Sequence, residues 1–169
     1  MSTTRTKAKP ARRPVASRLG TAKTVPFAGV VSGQIHRLKS HASAVELSPG
    51  NLIAVIRRGL PVQELEVLRL GLDVSMDDLA AKLGISKATL HRRKAQGRLG
   101  PEESDRVLRF ARLLGKAAEV LEGEEMARRW LHAPQVGLGG AVPLDYAETE
   151  IGAREVEDLL GRIEYGVYS

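Results

Sequence analysis

The side chains that most often carry out catalysis are few and scattered in this chain. Cysteine is absent, which excludes a thiolate nucleophile, a zinc–thiolate site and a disulfide. Neighbouring carboxylates, Glu102-Glu103 and Glu124-Glu125, stand where they would stabilise the first turn of a helix. The sequence therefore predicts a binding protein that is not an enzyme and uses no cofactor or metal ion. The histidines fall in different segments without the spacing of a metal-binding pair: His36, His41, His91 and His132.

Charged residues are distributed unevenly along the chain and give a stronger signal. The net charge is +6, but residues 1–45 hold nine lysines and arginines and no acid, which leaves residues 46–169 with a net charge of −3. Within that remainder, six basic residues and no acid lie between Leu79 and Pro101, whereas eleven acids and four bases follow from Glu119 onward. A basic segment and an acidic segment in one chain indicate two partners of different charge.

The basic segment coincides with the pattern of a helix-turn-helix, which we predict over residues 76–95. Ser75 and Asp78 have the spacing of a capping box that begins the first helix. Gly84 can adopt the positive φ of the turn, and Ser86 can cap the second helix. Small and apolar side chains at fixed offsets then hold the two helices together: Ala80, Ile85 and Leu90.

The second helix of such a motif enters the major groove of DNA. An arginine on it can pair with guanine, and the residues suited to phosphate contacts are Lys82, Lys94 and Arg98. The alternative is a motif that serves only packing or dimerisation, with a solvated basic face. On the first interpretation operator DNA is a partner, and the DNA-binding residues are Lys87, Ala88, His91, Arg92, Lys94 and Arg98.

Arg93 departs from the helix-turn-helix pattern. It follows Leu90 by three residues, at a position where the motif usually buries an apolar side chain. Two explanations are open: the second helix is rotated, or this face of the helix meets a partner.

The rest of the chain predicts an all-α fold, with a helix-turn-helix domain followed by a small helical C-terminal domain. Apolar positions repeat with helical spacing in five more segments, and Gly71 would end the second of them. We expect a basic, mostly disordered tail (residues 1–45), a helix-turn-helix domain (46–116) and a C-terminal domain (117–169). No run is apolar and long enough to span a membrane, so we expect a cytoplasmic protein without a membrane partner. The five helical segments are 49–58, 61–70, a helix from residue 101, 117–131 and 153–164.

Four ordered motifs carry a resemblance to a known family. They are RRKAQGRLGPEESDR (92–106), ARRWL (127–131), LGGAVPLD (138–145) and EVEDLLGRIEYGVY (155–168). Together they resemble the Xre/MbcA/ParS family of antitoxins from about residue 46 onward. The resemblance implies a type II antitoxin whose partner is a RES-domain toxin that consumes NAD, or that modifies a protein with ADP-ribose taken from NAD. It further implies that the C-terminal domain blocks the toxin's NAD pocket, while the helix-turn-helix domain forms a homodimer and can repress the operon.

The last predicted helix is acidic and amphipathic, and it is the candidate toxin-binding element. Val156, Leu159, Leu160 and Ile163 have the spacing of a buried stripe, and Asp158 and Arg162 have the spacing of an ion pair. The alternative function is a stand-alone transcriptional regulator whose C-terminal half only dimerises. The candidate toxin-binding residues are Glu155, Asp158, Arg162, Tyr165, Val167, Tyr168 and Ser169.

Overall fold

Residues 49–167 are described by the structure, which is a computed structural model. The predicted tail (1–45) and the candidate toxin-binding residues Tyr168 and Ser169 lie outside this range. Between residues 49 and 167 the chain is helical, and in place of strands it has two isolated β-bridges. The all-α prediction is therefore confirmed.

Five helices form the first part of the fold, and their ends follow local sequence signals. A left-handed glycine, Gly59, ends α1 with a φ of 81°, and a Cβ at this position would lie 2.1 Å from the carbonyl oxygen of Leu99. Only glycine fits such a close approach of two backbone segments. The helices are α1 (Pro49–Arg58), α2 (Gln63–Leu72), α3 (Met76–Lys82), α4 (Lys87–Gln96) and α5 (Pro101–Val120).

Three shorter elements and a long last helix complete the fold around α5. α5 packs against α1, α2, α6 and α8. Buried apolar side chains from Leu60 to Leu160 form one continuous core, in which Phe110 of α5 is 1% exposed. The elements are α6 (Glu124–His132), a 3₁₀ turn (Val136–Leu138), α7 (Pro143–Tyr146) and α8 (Glu150–Glu164). None of the helices in the described range is long and apolar enough to cross a membrane.

Two of the predicted helix boundaries are wrong. The helix expected over residues 117–131 is instead the end of α5 and the whole of α6, because Glu122 takes a φ of 57° and Gly123 precedes α6. Gly71 does not end α2, which continues to Leu72 and is capped by Asp73 in the left-handed conformation. Gly71 packs closely against α5, since a Cβ there would lie 2.8 Å from Cδ2 of Leu114 and would displace the end of that side chain. The boundary predicted between residues 116 and 117 falls within α5.

Candidate DNA-binding and toxin-binding surfaces

The helix-turn-helix forms as its caps and turn predict. Oγ of Ser75 accepts a hydrogen bond from the backbone N–H of Asp78 at 3.0 Å and begins α3. Oγ of Ser86 accepts from the backbone N–H of Thr89 at 3.2 Å and begins α4. Gly84 takes a φ of 62° between the two helices. Behind this turn, the side chains predicted to hold the helices together are all buried: Ala80, Ile85 and Leu90.

Arg93 is held by a carboxylate of its own chain, which neither explanation from the sequence anticipated. Its Nε donates to both carboxylate oxygens of Glu103, at 3.0 and 2.7 Å. Glu103 also accepts a hydrogen bond from the backbone N–H of Gly100 at 2.5 Å, at the start of α5. Leu90 remains buried, so α4 is not rotated. The ion pair therefore stands where the motif usually has an apolar contact, and it connects α4 to α5.

The predicted DNA-binding face of α4 is exposed to solvent. Lys87 lies 3.4 Å from a carboxylate oxygen of Asp77, but its side chain is 85% exposed and remains free to contact another molecule. Arg92 and Lys94 form no ion pair with a carboxylate in residues 49–167. The exposed members of the predicted set on α4 are Lys87, Ala88, His91, Arg92 and Lys94.

Two basic residues outside α4 have intramolecular roles. Arg98 is exposed, and its Nη1 donates to the carbonyl oxygen of Gly59 at 2.7 Å. Lys82 does not suit a phosphate contact, because its Nζ forms ion pairs with Asp145 and, at 3.7 Å, with Glu148. Only 17% of the Lys82 side chain is exposed. The positive charge at the end of α3 therefore attaches the helix-turn-helix to the α7 region.

The last helix, α8, is anchored at its N-terminus and exposed at its C-terminus. Thr149 caps the helix by accepting a hydrogen bond from the backbone N–H of Gly152 at 3.0 Å. A Cβ on Gly152 would lie 1.8 Å from the carbonyl oxygen of Tyr146, so only glycine allows α7 and α8 to meet this closely. At the other end Tyr165 is 79% and Val167 53% exposed.

Most of the predicted toxin-binding residues within residues 49–167 lie on the side of α8 that faces solvent. Glu155, Asp158 and Arg162 are exposed, whereas Val156 and Leu160 face the core. The ion pair predicted between Asp158 and Arg162 does not form, so both side chains keep their charge available to a partner. Leu159 and Ile163 are only half-buried, which makes the buried stripe narrower than predicted.

Arginines on α5 hold α8 by charge, and the sequence analysis missed them. Nε of Arg112 donates to Glu157 at 2.8 Å. Nε of Arg109 lies 2.9 Å from Oε2 of Glu150, a contact that is electrostatic and lacks hydrogen-bond geometry. Partial burial raises the pKa of Glu150, but a hydrogen bond from Arg154 and the charges of Arg109, Arg154 and Arg112 bring it below its usual value. Opposite charges forty to fifty positions apart leave no periodic signal in a single sequence.

Comparison with known proteins assigns both parts of the fold. Residues 52–112 match the model of the antitoxin Xre-like helix-turn-helix domain. Residues 116–166 match the model of the antitoxin Xre/MbcA/ParS C-terminal toxin-binding domain. Antitoxin Xre of Yersinia enterocolitica is 37% identical over 120 residues, which are 70% of this chain and 81% of the relative.

The chain belongs to the Xre/MbcA/ParS antitoxin family. Antitoxin Xre of Photorhabdus laumondii is 32% identical over 70% of this chain and 82% of the relative. A Prs ADP-ribosylating antitoxin of a Sphingobium species is 30% identical over 72% of this chain and 83% of the relative. These relatives confirm the predicted family and the prediction of an antitoxin with a helix-turn-helix, as opposed to an enzyme. The antitoxin's individual DNA-binding and toxin-binding residues stay predictions.

Proposed function

We propose that this antitoxin neutralises a RES-domain toxin by placing the C-terminal end of α8 in the toxin's NAD pocket. The observation that carries the proposal is the combination of a rigidly anchored α8 with an exposed end at Tyr165 and Val167. Large exposed apolar side chains at the tip of an anchored helix favour a contact with another protein.

The chemistry of this end suits a nucleotide pocket. Glu155 and Asp158 present carboxylates along the exposed side of α8, and Glu164 is exposed at its last turn. A pocket that binds the pyrophosphate of NAD offers positive groups, which attract carboxylates as well as phosphates. The aromatic side chain of Tyr165 can fill the space in such a pocket that a flat ring of NAD would otherwise occupy. The name of the Sphingobium relative includes ADP-ribosylation, a reaction that uses NAD.

The helix-turn-helix supplies the regulatory part of the proposal. α4 presents Lys87, His91 and Arg92 to solvent, and a helix of this kind reads base edges in the major groove. A homodimer would bind two half-sites about 10 base pairs apart and so repress the antitoxin's own operon. We place the complex in the cytoplasm, where NAD and the operator are both found.

Co-expression with the product of the neighbouring gene tests the neutralisation. The wild-type antitoxin should keep cellular NAD at its normal level, whereas a chain that ends at Glu164 should allow NAD to fall. Ile151→Ala is the matched control, because Ile151 is a 76% exposed apolar residue at the opposite end of the same helix. It lies about 20 Å away along the helix axis.

The outcomes separate the parts of the proposal. NAD protection by the chain that ends at Glu164 would show that the toxin is not blocked by this end of α8. Equal loss of protection in Ile151→Ala would show that the whole surface of α8 matters and that no single end fills a pocket. A toxin that kills without lowering cellular NAD and without attaching ADP-ribose to a protein would refute the RES-domain assignment.

A further inference from the structure

The linker between α1 and α2 lies against the linker that follows the recognition helix α4. An isolated antiparallel bridge pairs Pro61 with Arg98. The backbone N–H of Leu99 donates to the carbonyl oxygen of Leu60 at 2.9 Å. The start of α2 is therefore fixed at the C-terminal end of α4, although the two segments are almost forty residues apart in sequence.

This contact brings three arginines together. Arg57 and Arg58 are the last two residues of α1, and Gly59 follows them directly. Nη1 of Arg98 donates to the carbonyl oxygen of that same Gly59 at 2.7 Å. Arg57 and Arg58 did not enter the sequence analysis, because nothing in their local pattern connects them with α4. We call Arg57, Arg58 and Arg98 the junction patch.

The junction patch is a concentration of positive charge without a compensating carboxylate in the described range. Its three arginines are exposed, and none forms an ion pair with an acid of residues 49–167. Some cations of the same range do have a carboxylate partner, among them Lys82, Arg93 and Arg109, whereas Arg92 and Lys94 on the neighbouring α4 also have none. Like charges on neighbouring parts of the surface repel each other, and an anion from another molecule would reduce that repulsion.

A structural explanation exists for each of the three arginines. Cations in the last turn of α1 interact favourably with the negative end of its dipole, which applies to Arg57 and Arg58. Arg98 donates to a carbonyl oxygen just beyond that end, which is a capping role. These roles leave all three side chains exposed, so an anionic ligand can reach the same positive charges.

The position of the junction patch identifies the anion. α4 has ten residues and is about 15 Å long, and the major groove is about 12 Å wide. When the N-terminal half of α4 lies in the groove, its C-terminal end reaches the rim, where the phosphates are. We infer that the junction patch binds phosphate groups of double-stranded DNA next to the bases that α4 contacts. This inference rests on the proposed operator binding.

Salt dependence of DNA binding distinguishes phosphate contacts from base contacts. The full-length protein is titrated by fluorescence anisotropy with a duplex from the region upstream of its gene and with an unrelated duplex of equal length, at about 50 to 300 mM salt. Arg57→Ala combined with Arg58→Ala should lower the slope of log K against log salt by about 0.9 for each lost phosphate contact. Both duplexes should lose the same factor, roughly eightfold per contact at about 0.1 M salt.

Two further variants keep the test specific. Arg128→Ala with Arg129→Ala removes the same charge from α6 and should leave the slope unchanged. Arg57→Lys with Arg58→Lys should keep most of the slope, because an ammonium group also contacts phosphate. Melting curves followed by far-UV circular dichroism show whether each variant is folded.

The remaining outcomes would overturn the inference, the proposed operator binding, or both. If the alanine variant at the junction patch keeps the wild-type slope while Arg92→Ala weakens binding to the upstream duplex, the inference is overturned and operator binding stands. If the α6 variant lowers the slope equally, net charge alone is responsible and the inference is overturned. If the wild-type protein binds neither duplex, both the inference and the proposed operator binding are overturned.

Discussion

Replacing Arg93 by methionine removes the guanidinium from the ion pair with Glu103, whose side chain is almost buried. The Glu103 side chain is 12% exposed and that of Arg93 23%. After the substitution the Glu103 carboxylate keeps the hydrogen bond from the backbone N–H of Gly100 and loses both bonds from Arg93. Breaking a fully buried pair costs about 3–5 kcal/mol, and a charged hydrogen bond contributes about 1.5–3 kcal/mol. Because one hydrogen bond and some solvent contact remain, we expect a loss of about 2 kcal/mol.

Urea unfolding of four proteins measures the interaction between the two side chains. They are the wild type, Arg93→Met, Glu103→Gln and the double variant, and the coupling energy between the two substitutions should be about 1–2 kcal/mol. The double variant should be more stable than Arg93→Met, because a neutral glutamine no longer leaves a charge without a partner. Arg129→Met is the control: its pair with Glu125 is exposed on both sides and should contribute less than about 1 kcal/mol.

Additive effects of the two substitutions would refute this reasoning, as would a cost for Arg93→Met no larger than that of the control. If Arg93→Met keeps wild-type stability but binds the toxin or a second copy of the chain more weakly, then this face of α4 contacts a partner. The same four proteins can be used in both measurements, so the two explanations are compared directly.

Four further substitutions follow from the packing and charge of the fold. Gly152→Ala should lower the free energy of unfolding by more than about 3 kcal/mol, because its Cβ would meet the carbonyl oxygen of Tyr146 at 1.8 Å. Gly161→Ala, with a flexible lysine at 3.7 Å, should be neutral or stabilising in the same urea assay. Phe110→Ala should cost about 3–5 kcal/mol by the same measurement. The pKa of Glu150 is lowered in the folded chain, so its stabilising effect is present above about pH 4.3 and is lost as the pH falls through the folded value. Melting curves of Glu150→Gln and wild type should therefore differ at pH 6 and converge in acid.

Local signals were sufficient to predict the helix-turn-helix. Ser75, Gly84 and Ser86 act within three or four residues of their own position, so a single sequence contains the information that places α3 and α4. The break between α5 and α6 was missed for the opposite reason. Glu122 adopts a left-handed conformation that its residue type rarely takes, and only the packing of two helices on one core imposes it.

Interactions between distant segments could not be predicted from the sequence. The sequence predicts a phosphate contact for Lys82 because it belongs to the helix-turn-helix, but its partner Asp145 is 63 residues away. Arg93 was recognised as unusual, and its partner Glu103 belongs to the next helix. In both cases the residue type was informative, while the partner depends on how α5 brings the two parts of the chain together.

The continuity of α5 has a consequence for how the antitoxin is removed from the cell. One helix of twenty residues contributes to the packing of both parts, and the buried side chains form a single cluster. A protease that cuts near its middle would expose apolar surface on both sides of the cut, so neither fragment keeps a complete core. Under the function proposed above, such a cut would release the toxin and the operator in the same event, and fresh antitoxin synthesis would begin at the moment when protection is lost.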